Sequence, residues 1–477
     1  MANGLAARNG GRVGLALLVA ILLVGLGLRV GYAWDGREPV YDAQAYAAIA
    51  ANLEGGEGFT VGAGATQPSS NYSPGLPLLV AGVYEVTGGV DERLARVVLA
   101  LLASLAVLFT YLIGRRLGTG LAGPGDPPPP LGVAGDRRGV AAGLLGALAV
   151  AVYPAFLEYG GMLMSEPLAA TLLSGAVLGL LWARDRAEAW PWLVPGLALG
   201  ALALVRPEYL AVGVLLAVVV LVSGAFDRAR LSLIAQRANK DNSALGWRWW
   251  LGAAALVLVG MAVVVVPWTV RNVVALDRAV PISTGGGQVL YAGTYLPSDG
   301  DPEKVGAEVV AENPQIFAPG DAQRLRLEQI LARLAAATYP EMESDKALSR
   351  MGREQLWDDV SEEPMEYAGF IATKVGRIWS HGPRDVMREP IWAALHWALA
   401  GLGLLGLGAL VWKRRWEALV IATVFVSITA LSALLVASPR RVLVMAPLLA
   451  ACAGYGAVWL WAQIRKVGPR LVQKRSV

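Results

Sequence analysis

The sequence predicts an all-α polytopic membrane protein with about ten transmembrane helices, on three observations. First, 55% of the 477 residues are hydrophobic and only 16% are charged, against about 25% charged in an ordinary soluble domain; mean hydropathy is +0.50. Second, apolar runs approaching the ~20 residues of a bilayer crossing recur along the chain. Third, Lys and Arg collect in alternate short loops between these runs, the bias that orients membrane helices. The net charge of +4 is then an orientation signal, and no nucleic-acid partner is expected. Cys452 is the single cysteine, so no disulfide framework exists. His381 and His396 are the only histidines, which excludes a His-rich metal site.

The first run, Val13 to Ala33, contains Arg29 and follows Arg8 and Arg12. It exceeds a signal-peptide core of about 7–15 residues and is expected to be an uncleaved helix. The remaining candidates are Leu94–Leu112, Val140–Phe156, Leu168–Ala183, Trp190–Leu204, Tyr209–Phe226, Trp250–Trp268, Ile391–Trp412, Ala418–Ala437 and Val442–Trp461. Arg115, Arg116, Arg137 and Arg138, then Arg184 and Arg186, then Arg228, Arg230, Arg237, Lys240 and Arg248 mark successive loops on one side. Lys413, Arg414 and Arg415 and the tail from Arg465 to Arg475 follow. This places both termini in the cytoplasm of a plasma (inner) membrane. The Pro127–Pro130 run reads as a stiff extended spacer on that side.

Two segments lie outside. Residues 34–93 contain a helical stretch from Ala43 to Leu53, with Tyr46, Ile49, Ala50 and Leu53 on one stripe and Gly55-Gly56 ending it. Asp42 stands one turn before Tyr46, either as a helix N-cap or as a carboxylate held at the membrane surface as a general base. The apolar stretch after Pro74 and Pro77 is too short to span and reads as an interfacial helix. Residues 269–389 form a charged, mainly helical outer domain, with helices expected over Gln323–Ala337 and Asp345–Val360.

The order YDAxAYxxIAxNLxxGxGF, SPGLPLL, MSEPL, LVRPE, PWTVRN, GGGQVLYAG and SPRRVLVMAPLLA, each motif on the expected side, resembles the bacterial protein-mannosyltransferase-like family of GT-C glycosyltransferases, which includes lipid A aminoarabinose transferases. The resemblance divides the chain into a transmembrane module (1–268) with a catalytic first outer loop (34–93), an extracytoplasmic domain (269–389) and C-terminal helices with a cytoplasmic tail (390–477). It implies inverting transfer of a sugar from a polyprenyl-phosphate donor to a lipid, glycan or protein hydroxyl. Asp42 matches the family's catalytic aspartate, and an alcohol acceptor needs such a base. Glu166 matches the second acidic position, or is a helix-start Glu favoured by the dipole. Arg206 and Arg271 match positions at outer helix ends, where a guanidinium fits a phosphate bidentately; snorkelling or helix-end compensation would also place them there. Arg440 and Arg441 break the positive-inside pattern, which invites an anionic partner or marks a loop ion pair. Lys374 and Arg377 stand in reserve for the same role.

Tyr46, Tyr72 and Tyr291 are expected to line the substrate cavity. Several members of the family carry a second acid after the aspartate; here Ala43 follows Asp42. No cofactor is assigned, and a divalent metal is left open without the support of a carboxylate pair. Gly285–Gly287 lack the strand-loop-helix context of a nucleotide site. His381 reads as a surface or packed residue and His396 as a packed one. The rival class is a transporter or lipid flippase, whose intramembrane charges would line a pathway. A non-catalytic assembly subunit is a third reading.

Overall fold

The computed structural model describes residues 2–35, 42–62, 67–119, 137–186, 188–226, 247–380, 382–383 and 385–473. Pro127–Pro130, His381 and the basic residues Arg228, Arg230, Arg237, Lys240, Lys474 and Arg475 lie outside these, as do the side chain of Arg8 and Tyr41 of the first motif.

Helices follow the apolar runs. In the N-terminal part they are α1 (Ala2–Trp34), α2 (Asp42–Glu54), α3 (Gly75–Thr87), α4 (Glu92–Thr119), α5 (Arg137–Val152), α6 (Pro154–Gly160), α7 (Ser165–Arg184), α8 (Leu193–Val205), α9 (Tyr209–Phe226) and α10 (Trp247–Leu276). The outer segment supplies α11 (Gly286–Thr294), α12 (Val305–Glu312), α13 (Asp321–Arg324), α14 (Leu327–Thr338), α15 (Ser344–Glu362) and α16 (Pro364–Ser380). The chain closes with α17 (Pro390–Trp412), α18 (Trp416–Leu434) and α19 (Arg440–Gln473). No strand occurs among the described residues.

Among the described residues, seven helices are long and apolar enough to cross a membrane. The α5–α6 pair makes an eighth span bent by 53°, and Trp190–Val205 and Tyr209–Ser223 are shorter apolar helices. All ten expected spans fall on these elements. The chain is an all-α multi-pass membrane protein of roughly ten spans.

Two expected helices are broken, each for a local reason. The run Val140–Phe156 is interrupted at Tyr153, which is extended (φ −67°, ψ 114°) ahead of Pro154; a proline's ring disfavours the helical conformation in the residue before it. The stretch Gln323–Ala337 divides at Leu325 and Arg326, both extended. There the Gln329 side chain accepts the Arg326 backbone N–H at 2.9 Å and starts α14 afresh, as a capping residue does.

One continuous apolar core runs through the bundle. A second core gathers Tyr291, Tyr295, Val305, Ile330, Leu331 and Leu348 of the outer segment. The C-terminal end of the outer segment instead joins the bundle core, through Ile378 and Met387. At the end of α16, His396 Nδ1 lies 2.9 Å from the Tyr153 hydroxyl and Nε2 lies 3.1 Å from the Trp379 carbonyl. It is a packed residue of α17.

Candidate active site at one end of the bundle

The site is assembled from helix ends. At α2 the carboxylate of Asp42 occupies the first turn. The next turn carries Tyr46, buried and edge-on to Tyr72 with ring centroids 5.8 Å apart. Asn52 fixes the loop that follows, donating to the Thr60 hydroxyl at 2.8 Å and to the Gly62 carbonyl at 2.9 Å. At the start of α7, Ser165 and Glu166 follow the extended Met164. Between α8 and α9, Pro207 keeps Arg206 extended (φ −145°, ψ 105°), so the helix stops and the guanidinium is released from its axis. At the start of α19, the SPRR turn presents Arg440 and Arg441.

These ends meet. Arg440 Nη1 lies 3.4 Å from Asp42 Oδ2 across 398 residues of sequence. Arg206 Nη1 donates to Glu166 Oε1 and to the Ser165 hydroxyl, each at 3.2 Å, and its Nε donates to Glu208 Oε1 at 3.1 Å. Arg441 reaches the same Glu208 oxygen at 3.7 Å and donates to the Val436 carbonyl at 2.6 Å. The result is a file of alternating charges. Its inner part is dry: Glu166 is 2% exposed, and its Oε2 has no hydrogen-bond partner. Its outer part is wet, with Arg440 and Asp42 side chains 34% and 47% exposed.

Burial opposes ionisation of Glu208, but Arg206 first and Arg441 second outweigh it and hold its carboxyl below the usual range. The Tyr46 hydroxyl is pushed up by burial and then by the Asp42 charge, so it remains a hydrogen-bond donor. Burial raises Tyr72 to about 12, with Glu328 of α14 and Asp42 adding to the shift. Tyr72 therefore feels both Asp42 and the start of α14.

Six of the expected residues come together: Asp42, Tyr46, Tyr72, Glu166, Arg206 and Arg440, with Arg441 behind them. Two are placed elsewhere. Arg271 is a clasp. Its guanidinium donates to the Ser69 carbonyl at 2.9 Å and the Phe59 carbonyl at 3.3 Å, and it faces the Phe59 and Trp268 rings at 5.5 and 4.9 Å. Tyr291 stacks on Tyr295 inside the outer core. Arg377 is paired with Asp299 and Asp301. Ser165 and Glu208 went unselected although both stand inside motifs singled out above. Lys374 of α16 is 1% exposed and donates to the Gly293 carbonyl at 2.5 Å.

No group of three or more His, Cys, Asp or Glu residues able to hold a metal ion occurs among the described residues. One carboxylate oxygen of Asp42 is engaged by Arg440 and one of Glu166 by Arg206. Each of these two carboxylates thus already faces an arginine as its counter-charge.

No family model matches the sequence, and no curated protein matches it. Solved structures do. The Archaeoglobus fulgidus oligosaccharyltransferase in complex with Zn and sulfate superposes with a TM-score of 0.51 at 13% identity, over 94% of this chain and 49% of its own. The same enzyme tethered to an acceptor peptide superposes equally, over 95% and 50%. This chain thus spans about half the length of the oligosaccharyltransferase it matches. ArnT from Cupriavidus metallidurans bound to undecaprenyl phosphate matches over 96% of this chain and 80% of its own at 16% identity, with a TM-score of 0.40. Helix order, the roughly ten spans and the oligosaccharyltransferase superposition agree: this chain has the fold of the GT-C membrane glycosyltransferases.

Proposed function

We propose that this protein is a membrane glycosyltransferase that moves a sugar from a polyprenyl-phosphate donor to an acceptor hydroxyl, inverting the anomeric carbon, on the extracytoplasmic side. The single observation that carries the reading is the 3.4 Å approach of Arg440 to Asp42. The reaction requires a base on one side of the anomeric carbon and a cation on the other, and these two half-exposed groups form a pair that parts as the sugar enters between them. Asp42 takes the acceptor proton as the acceptor oxygen attacks. The carbon–oxygen bond to phosphate breaks, and its electron pair leaves with the polyprenyl phosphate. Arg440 meets that charge, with Arg441 and Arg206 behind it. Tyr46 and Tyr72 wall the sugar pocket. Glu166 keeps Arg206 oriented rather than acting as a second base.

In this reading the donor's chain stays in the bilayer, residues 269–389 face the extracytoplasmic side, and both termini are cytoplasmic. The neighbouring structure's acceptor is a peptide, whereas here lipid, glycan and protein hydroxyls all fit. Transfer of labelled sugar from a panel of polyprenyl-phosphate sugars in liposomes tests the proposal. Transfer that vanishes in Asp42→Asn is expected. No transfer from any donor, or equal transfer by the variant, overturns it.

A further inference from the structure

The apolar length of α1 carries one cation beyond Arg12, Arg29, and it is 0% exposed. A buried cation in a span is costly and is retained where it does something specific. Its partners say what. Nη2 donates to the Val150 carbonyl at 2.8 Å, and Nη1 donates to the Ala151 carbonyl at 3.2 Å and the Gly25 carbonyl at 3.0 Å. The guanidinium lies 5.1 Å from the Phe156 ring centroid. In an unbroken helix the N–H of residue 154 would bond the carbonyl of residue 150, but a proline has no N–H to give. Arg29 is thus the substitute donor for the carbonyls that the α5–α6 break strands.

The surroundings are cut to this purpose. A Cβ at Gly25 would lie 3.1 Å from both Arg29 Nη1 and the Ala151 Cβ. A Cβ at Gly161, just past α6, would lie 2.8 Å from the Tyr32 carbonyl. So α1 grips both sides of the bend. Beyond it, the Tyr159 hydroxyl donates to the Pro383 carbonyl at 3.3 Å. A four-residue turn then delivers Ser165 and Glu166.

We propose that Arg29 is a positioning residue that holds α6 at its bend, and thereby sets the start of α7 at the phosphate-binding mouth. What the mouth binds rests on the function proposed above; the hold on the bend does not.

Three variants test it: Arg29→Leu, Arg29→Lys and the double change Arg29→Leu/Pro154→Ala. Each is read by Tm, by hydrogen exchange over residues 153–160, and by affinity for a polyprenyl monophosphate. Arg29→Leu is expected to lower Tm, speed exchange and weaken binding about tenfold. Arg29→Lys, a point charge without the fork, restores part of each. The double change returns an N–H to position 154, which can bond the Val150 carbonyl. Tm should recover and exchange should become slower than in the wild type, while binding stays weak because the bend is gone. A merely structural Arg29 predicts that binding recovers together with Tm, and that result overturns the proposal. So does unchanged exchange and affinity in Arg29→Leu. If Arg29→Leu fails to fold, the double change and Arg29→Lys decide alone. A wild type that binds no polyprenyl phosphate overturns the functional reading, while altered exchange in the variants would still support the hold on the bend.

Discussion

Arg440→Ala separates a binding cation from a structural one. In the unliganded protein Arg440 has one carboxylate at 3.4 Å, and both side chains are about a third to a half exposed. Pairs of that kind are worth about 0–1 kcal/mol. Arg440 is also the first residue of α19, where a cation opposes the helix dipole by about 0.3–1 kcal/mol. The two contributions nearly cancel, so the substitution should leave Tm almost unchanged. A bound phosphate alters the balance, because a hydrogen bond to a charged group is worth roughly 1.5–3 kcal/mol. Its loss corresponds to about 10- to 150-fold in donor affinity. The assay is donor KM in liposomes beside direct binding of a polyprenyl monophosphate in detergent. Raised KM at constant Tm, partly restored in Arg440→Lys, is the expected pattern. Wild-type KM in Arg440→Ala would show that the phosphate site is not at this mouth, and a large drop in Tm would show that the exposed pair had been undervalued.

Asp42→Asn keeps the shape of the helix start and removes the base, so transfer should fall by roughly 10²-fold or more with Tm little changed, while Asp35→Asn, outside the charge file, should transfer normally. Arg271→Ala should lower stability by about 2–4 kcal/mol through three lost hydrogen bonds, to the Ser69 and Phe59 carbonyls and Asn272 Oδ1, and two cation–π contacts; donor KM of the folded fraction should hold, and a selective rise in KM at full stability would return Arg271 to the phosphate set. Lys374 is pushed down to about 7 by burial, and then by the nearby Arg441, from the usual 10.5. Between those values the unfolded chain holds a proton that the folded chain lacks, so stability rises with pH across the window. Lys374→Met should flatten the Tm profile between pH 7 and 10, and a profile as steep as the wild type's would show that the rise comes from other groups.

The spans were legible because hydropathy is a local property: each apolar run announces its own helix. The helix ends bearing Asp42, Glu166, Arg206 and Arg440 were legible too, from motif order and from basic residues on the unexpected side. Pairing was not. Nothing in MSEPL or LVRPE says that Glu166 and Glu208 both take Arg206, and periodicity cannot announce a contact such as Asp42–Arg440. The partners of Arg271 were hidden for a related reason. A helix-end arginine beside an outer loop looks alike whether it faces a ligand or the backbone of Phe59 and Ser69. Pro154 was visible in YPAFLEYG, but the apolar character on either side of it read as one span. Arg29, noted as the odd cation in its run, gained its meaning only when the break and the cation proved to be neighbours in space.

At the far end of α7, 20 residues from Ser165 and thus about 30 Å away, Arg116 binds Asp185 through both terminal nitrogens and Glu417 through Nε at 3.2 Å. Arg415 donates twice to Glu417 at 3.1 Å, and Arg184 lies 4.5 Å from the Trp416 ring centroid. Removing one partner from a buried pair costs about 3–5 kcal/mol. A conformer parted at that end would be populated at roughly one molecule in 10² to 10⁴, unless water or a ligand replaced the lost contacts. A carrier that alternates access must visit both open states within each cycle. This bundle is bolted at one end, while at the other Arg29 holds α6 at a fixed bend, a geometry suited to the proposed catalysis behind a single mouth.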